Sequence, residues 1–216
     1  ELGQALHRLG VRVRLFGRSL RTGPITDPGV LQSAEKVFSS EFPFTAPVKV
    51  EKVEPDENGV RVLYRNNEDS GVEEEVFEQV LAATGRDPNL TELNLEQTSL
   101  KLDSRGIPVY NPLTMQCGNS PVFIAGDVNN TLTVLHEAAD EGRIAGDNAG
   151  RFPDVREGRR SSPMTVVFTD PQMAVVGKTW KDLQGRNYVM GSVSFEGQGR
   201  SRVMLQNRGR LHLYAE

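Results

Sequence analysis

Apolar positions along the chain change their period several times. Leu2, Ala5, Leu6 and Leu9 fall at helical spacing, and Gly10 offers a C-terminal stop. Nothing caps this helix before Glu1, so it opens as if in its middle. Val11, Val13 and Leu15 then alternate in VRVRLFGRS, which predicts a strand. In TDPGVLQSAEKVFSSEF, Asp27 is a capping residue and Pro28 a first-turn residue, predicting a helix to about Phe38. PVKVEKVEPDENGVRVLYR predicts two strands around the turn DENG, and VEEEVFEQVLAATG a third. The end of the third, VLAATG, is almost wholly apolar, as in a strand covered on both faces.

Residues 86–120 are less regular, with a turn at DSRG. PVFIAGD reads as a short buried strand ending on Gly126 and Asp127. TVLHEAADEGRIAGDNAG is the best helix in the chain, with Val134, Leu135, Ala138, Ala139 and Ile144 on or near one face. Residues 150–162 are polar and read as a linker whose arginines are solvated. From Pro163 the pattern turns to strands: MTVVF, QMAVVG, YVMGSVSF, RVMLQ and RLHLYAE, interrupted by a short helix at TWKDLQ. The order gives an α/β layer first, then a unit dominated by strands.

Composition narrows the function classes. A net charge of −4 over 216 residues gives no electrostatic draw toward nucleic acid or an anionic membrane surface. No apolar run approaches the roughly 20 residues of a bilayer span. A single cysteine, Cys117, and three scattered histidines leave neither a disulfide framework nor a metal site at close spacing. With no cysteine pair and no secretory signal, the cytoplasm is the default compartment. The uncapped start and the terminal strand GRLHLYAE read as those of a piece cut from a longer protein.

Helix, strand, helix, strand is the latter part of a βαβ nucleotide-binding unit, although G-x-G-x-x-G itself does not occur. Such folds place an acid at the end of the second strand for ribose hydroxyls, or an arginine for a 2′-phosphate. Here Gly17 stands at the acid's place, followed by Arg18 and Arg21. They are either a 2′-phosphate anchor or two solvated arginines, and NAD against NADP stays open.

AATGRDPN (82–89), VFIAGDV (122–128), LHEAADEG (135–142) and VVFTDPQMAVVG (166–177) occur in this order. Together they resemble the flavoprotein disulfide reductases, or pyridine nucleotide-disulfide oxidoreductases, across essentially the whole chain. LHEAADEG is most similar to the A-H-x-A-x-x-E-G run of the dihydrolipoamide dehydrogenases, with Leu135 departing from the alanine. Glutathione reductases, with L-T-P-V-A in this region, fit less well. The resemblance implies an α/β chain divided as follows. Residues 1–84 would be an NAD(P)-binding domain, Rossmann-like but lacking its first strand and Gly-rich loop. Residues 85–150 would be the returning segment of an FAD-binding domain, 151–162 a linker, and 163–216 the opening of an α+β dimerisation domain.

The resemblance makes Asp127 the carboxylate that accepts hydrogen bonds from the flavin ribityl chain, with Gly126 giving the cofactor close approach. It turns the helix start at Thr133, Val134 and Leu135 toward the pyrimidine side of the flavin. His136 is read as packing or hydrogen bonding beside the flavin, since the family's acid–base histidine lies elsewhere. Gly85 would admit the nicotinamide cofactor, and Arg86 would contact a cofactor or only a neighbouring loop. Cys117 stands where the family often has threonine and reads as a small, partly buried side chain. The implied activity carries electrons from a lipoyl-bearing or other dithiol through a redox disulfide and FAD to NAD(P)+, in a homodimer built on the C-terminal domain. No residue of this sequence is assigned a catalytic role, and the piece alone is expected to be inert. A sibling transhydrogenase, mercuric or glutathione reductase, or a non-catalytic dimerisation module, are the alternatives.

Overall fold

The computed structural model describes residues 1–19, 23–67 and 69–215. It is a mixed α/β chain in two compact units, one formed by Glu1–Ala82 with Met164–Glu216, the other by Ala83–Pro163.

In the first unit, α1 (Leu2–Arg8) leads to β1 (Leu15–Phe16), α2 (Pro28–Ser39) and β2 (Phe44–Thr45). β1 and β2 are parallel, with Leu15 opposite Phe44 and Phe16 opposite Thr45, so β1–α2–β2 is a βαβ crossover. The expected cap is present: the Asp27 carboxylate accepts from Val30 N–H at 2.8 Å, and Pro28 occupies the first turn. Phe38 and Ala34 on α2 pack with Ile25 and Met173 in one core. The apolar stripe expected to bury α1 does not do so, since Leu2 and Leu9 are exposed and Gln4 is buried instead. The Gln4 amide donates to Glu41 and to the Asp170 carbonyl, and accepts from Asp170 N–H, all at 2.8 Å. Satisfied polar groups, rather than leucines, fix this helix.

β3 (Lys49–Asp56), β4 (Gly59–Arg65) and β5 (Glu73–Phe77) form an antiparallel sheet in that order. Val62 and Tyr64 alternate inward from β4 onto Val48, Phe16 and Phe77. The hairpin turn needs glycine: Gly59 has φ +138°, and a Cβ there would lie 2.2 Å from the Phe77 carbonyl oxygen. The strand expected over VLAATG is not formed. Residues 78–84 lie outside the strands, and Val80 and Leu81 are exposed. A strand buried on both faces exists only between sheet neighbours, and none pairs with these residues among those described.

Two antiparallel pairs complete the unit: β6 (Met164–Val167) with β7 (Met173–Val176), and β8 (Val189–Ser194) with β9 (Arg210–Ala215). The short helix at TWKDLQ is a single 3-10 turn, Trp180–Leu183, with a Thr179–Asp182 capping box. RVMLQ is no strand: Gly199–Val203 is a helix (α4), started by the Gln198 side chain accepting from Ser201 N–H. A short apolar run does not separate helix from strand by itself.

The second unit has few regular elements besides α3 (Leu135–Arg151). Ile107, Cys117 and Ile124 make its core with Leu90, Leu100, Tyr110 and Val128. The strand expected over PVFIAGD is reduced to one bridge, Gln116 with Phe123, before the chain enters a 3-10 turn at Gly126–Asn129. Most unexpected is the buried face of α3. Leu135 is 88 % exposed and Ala139 is exposed, whereas Glu137, Glu141, Ile144 and Asn148 are buried. Asn148 holds two loops at once, donating to the Thr114 and Arg156 carbonyls at 3.0 and 2.8 Å and accepting from Arg156 N–H at 2.8 Å.

Candidate functional site

The turn at Gly126–Asn129 is the best-built polar site in the second unit. Gly126 is buried with φ +78°, a conformation costly for any side chain. A Cβ at this position would sit 3.3 Å from the Cβ of Ala138, so the turn lies directly on α3. Asp127 follows with its side chain about half exposed. One of its oxygens, Oδ2, accepts from the Arg86 guanidinium at 3.0 Å, across 41 residues of sequence. The Asp127 carboxylate does not cap α3: Val134 is the N-cap, and no side-chain oxygen caps that start. An α-helix leaves its first N–H groups there without intrahelical partners, with partial positive charge. Thr133, Leu135 and His136 are exposed beside Val134 at this end.

The sequence-derived candidates therefore divide. Gly126, Asp127 and Arg86 come together, on the same unit as the α3 start, and Gly85 adjoins Arg86 with φ +114°. Arg18 belongs to the other unit. It is exposed just beyond β1 and lines a cavity of about 280 Å3 with Gly17, Ser19, Phe42 and Phe44. Arg21 lies outside the described residues.

Three residues of the turn's support went unread in the sequence. Glu141 is fully buried, and its Oε2 accepts from Gly126 N–H at 2.7 Å and from the Asn129 side-chain amide at 2.6 Å. Arg160 donates to Glu141 at 3.0 Å and to Glu137 at 2.6 Å. Burial works against the Arg160 charge, but the Glu137 hydrogen bond and the two carboxylates outweigh it and raise its pKa. The expected solvated linker is thus tied down. Ser161 N–H also donates to Asp140, whose carboxyl this bond, the Ser161 hydroxyl and Arg143 hold at about 2. The Glu of the A-H-x-A-x-x-E-G run stands at Glu141, which marked the position but not its role. For Glu137 and Arg160 the signal was weaker still, a glutamate pair at i and i+4 with an arginine some twenty residues on.

Cys117 is buried at 1 % exposure, and burial pushes its thiol pKa up. A thiol so placed is a packing group and not a nucleophile.

The parallel βαβ crossover of the first unit defines an α/β protein. Comparison with known proteins makes this specific. The family model described as pyridine nucleotide-disulphide oxidoreductase matches residues 1–142, and the chain belongs to that family. A mercuric reductase of Staphylococcus aureus is 32% identical over 189 residues, 87% of this chain and 34% of that protein. A dihydrolipoyl dehydrogenase of Thermus scotoductus is 30% identical over 204 residues, 93% of this chain and 43% of that protein. The chain spans less than half the length of these relatives. Among solved structures, LpdA of Mycobacterium tuberculosis superposes on the whole chain with a TM-score of 0.82 at 21% identity, over 46% of its own length. The HOCl-induced flavoprotein disulfide reductase RclA of Escherichia coli, as its Cu(II) complex, gives 0.81 at 20% identity and 48%.

Proposed function

We propose that this chain is the nucleotide-binding part of an FAD-dependent oxidoreductase that oxidises a dithiol to a disulfide and reduces NAD(P)+ to NAD(P)H, releasing a proton. The observation that carries this reading is the Asp127 carboxylate, held on the buried Gly126 turn against the uncapped start of α3. These residues fit a flavin nucleotide. A carboxylate accepts hydrogen bonds from ribityl hydroxyls, a glycine with no Cβ admits close approach, and a helix start favours negative charge.

FAD, when bound, supplies the two-electron chemistry that links thiols to a nicotinamide. In this reading Asp127 orients the ribityl chain, and Thr133, Val134, Leu135 and His136 form the wall beside the flavin, with His136 as a packing and hydrogen-bonding group. Arg86 neutralises Asp127 and, with Gly85, borders the nicotinamide cofactor. Arg18 is the anchor for a 2′-phosphate if NADP is the cofactor used. Residues 1–84 serve the nicotinamide nucleotide and 85–150 the flavin. Residues 163–216 belong to a dimerisation domain that makes the protein a homodimer. Dithiol exchange falls to cysteines outside this sequence, since its one cysteine is the buried Cys117.

The run LHEAADEG favours a dihydrolipoyl substrate. The 32% identity to a mercuric reductase supports a second reading, with Hg(II) as the electron acceptor from NADPH. Full-length protein assayed with dihydrolipoamide and NAD+, and with Hg(II) and NADPH, separates the two. Its visible spectrum tests the class: flavin bands that bleach on adding dihydrolipoamide or NAD(P)H are expected, and a protein that takes up no FAD overturns the proposal.

A further inference from the structure

Between Gly126 and Asn129 lies the carboxylate that the flavin reading depends on, and both ends of that short turn are held by one buried side chain. Glu141 Oε2 takes the Gly126 N–H and the Asn129 amide together, at 2.7 and 2.6 Å. Asn129 in turn accepts from Thr131 N–H at 3.0 Å through its own carbonyl, so its amide orientation is fixed by both ends. The next residue, Asn130, closes the turn with φ +54°. The Asp127 carboxylate has no comparable anchor among the described residues, where it bonds to the exposed Arg86.

Glu141 sits two helical turns into α3, on its buried face with Glu137, Ile144 and Asn148. A buried carboxylate persists only where donors and a counter-charge surround it. Three donors meet the Glu141 carboxylate: a backbone N–H, an amide N–H and the Arg160 guanidinium at 3.0 Å, which also holds Glu137. Were the side chain merely filling space, an apolar residue would serve at lower cost. Its chemistry is matched to the turn.

We infer that Glu141 is a positioning residue for the cofactor turn, fixing the Asp127 carboxylate through Gly126 and Asn129, with Arg160 as its counter-ion. This rests on the reading that Asp127 binds the flavin. It also gives a role to the segment after α3: Arg160 ties that segment to the turn, so the cofactor site depends on residues past the helix that carries Glu141.

The test is a double-mutant cycle on FAD affinity, measured by titrating full-length apoprotein with FAD and following flavin fluorescence. Asp127→Ala is expected to weaken binding roughly a hundredfold and Glu141→Ala about tenfold or more. Glu141→Gln should lose less than Glu141→Ala, because its carbonyl oxygen still accepts from Gly126 and Asn129 while Arg160, facing an amide NH2 instead of a carboxylate oxygen, keeps Glu137. Adding Glu141→Ala to Asp127→Ala should cost no more than about twofold further, since the effect travels through Asp127. Effects that multiply, or Glu141→Ala binding like the parent, would overturn the inference while leaving the flavin reading intact. Asp127→Ala with unchanged affinity would remove the flavin reading and this inference with it. If Glu141→Ala does not fold, Asn129→Ala makes the same comparison, with an expected loss of about fivefold in the parent and none beside Asp127→Ala.

Discussion

At the scale of single residues, the site is built from conformations and partners that few other side chains could supply. Gly126→Ala would force an alanine into φ +78° and press its Cβ to 3.3 Å from that of Ala138. A loss of about 1–2 kcal/mol in denaturant unfolding is expected, and an unchanged midpoint would show that the turn can relax. Cys117 makes the opposite kind of statement. With 1 % exposure and a thiol pushed up by burial, it should react with a thiol reagent at least roughly tenfold faster in denaturant than in buffer. Equal rates would mean that the core of the second unit opens readily.

At the scale of elements, α2 and β9 meet at one buried carboxylate. Asp27 caps α2 through Val30 N–H, accepts from the Tyr214 hydroxyl, and lies 2.9 Å from His212 Nδ1. Burial opposes the Asp27 charge, but Tyr214, His212 and the Val30 N–H hold its pKa below the usual carboxylate value. A depressed folded-state value means that its stabilisation is complete above the unfolded value of about 3.9 and is lost as pH falls through the folded one. Asp27→Ala should therefore cost about 2–3 kcal/mol at neutral pH, and the gap to the parent should narrow below about pH 4. A gap independent of pH would assign the loss to packing alone.

The same element shows what was legible in the sequence. Asp27 and Pro28 announce their cap because capping is local, and DENG between alternating residues announces the β3–β4 hairpin for the same reason. Gly126 and Asp127 stood out as candidates through the motif around them, but the turn they form did not, because the expected strand is reduced to one bridge. The buried face of α3 was hidden too. Glu137, Glu141 and Asn148 are polar, and what makes their burial tolerable are donors at Gly126, Asn129, Arg156 and Arg160, which no periodicity reveals. VLAATG needed neighbours that its own pattern could not supply.

Across the whole molecule, large apolar side chains remain open on several elements: Leu2 and Leu9 around α1, Val189 on β8, Leu213 on β9, and Val203 and Leu205 at α4. Exposure on this scale marks surfaces made for covering. Among the described residues, no helix is long and apolar enough to cross a membrane. The homodimer reading expects the 216-residue chain to sediment as a dimer or larger species, with an association that added salt does not weaken, because apolar contact is not screened. A monomer at every concentration would contradict it.

The central claim is that the Gly126–Asp127 turn holds a flavin. The most direct measurement is the flavin content and FAD affinity of full-length protein carrying Asp127→Ala, read from the visible spectrum beside the parent. The expected result is a parent that retains FAD and a variant that is largely colourless, regaining its flavin bands only at roughly a hundredfold higher FAD. A variant that keeps its flavin at parental affinity would contradict the claim and return Asp127 to the role of a surface partner for Arg86.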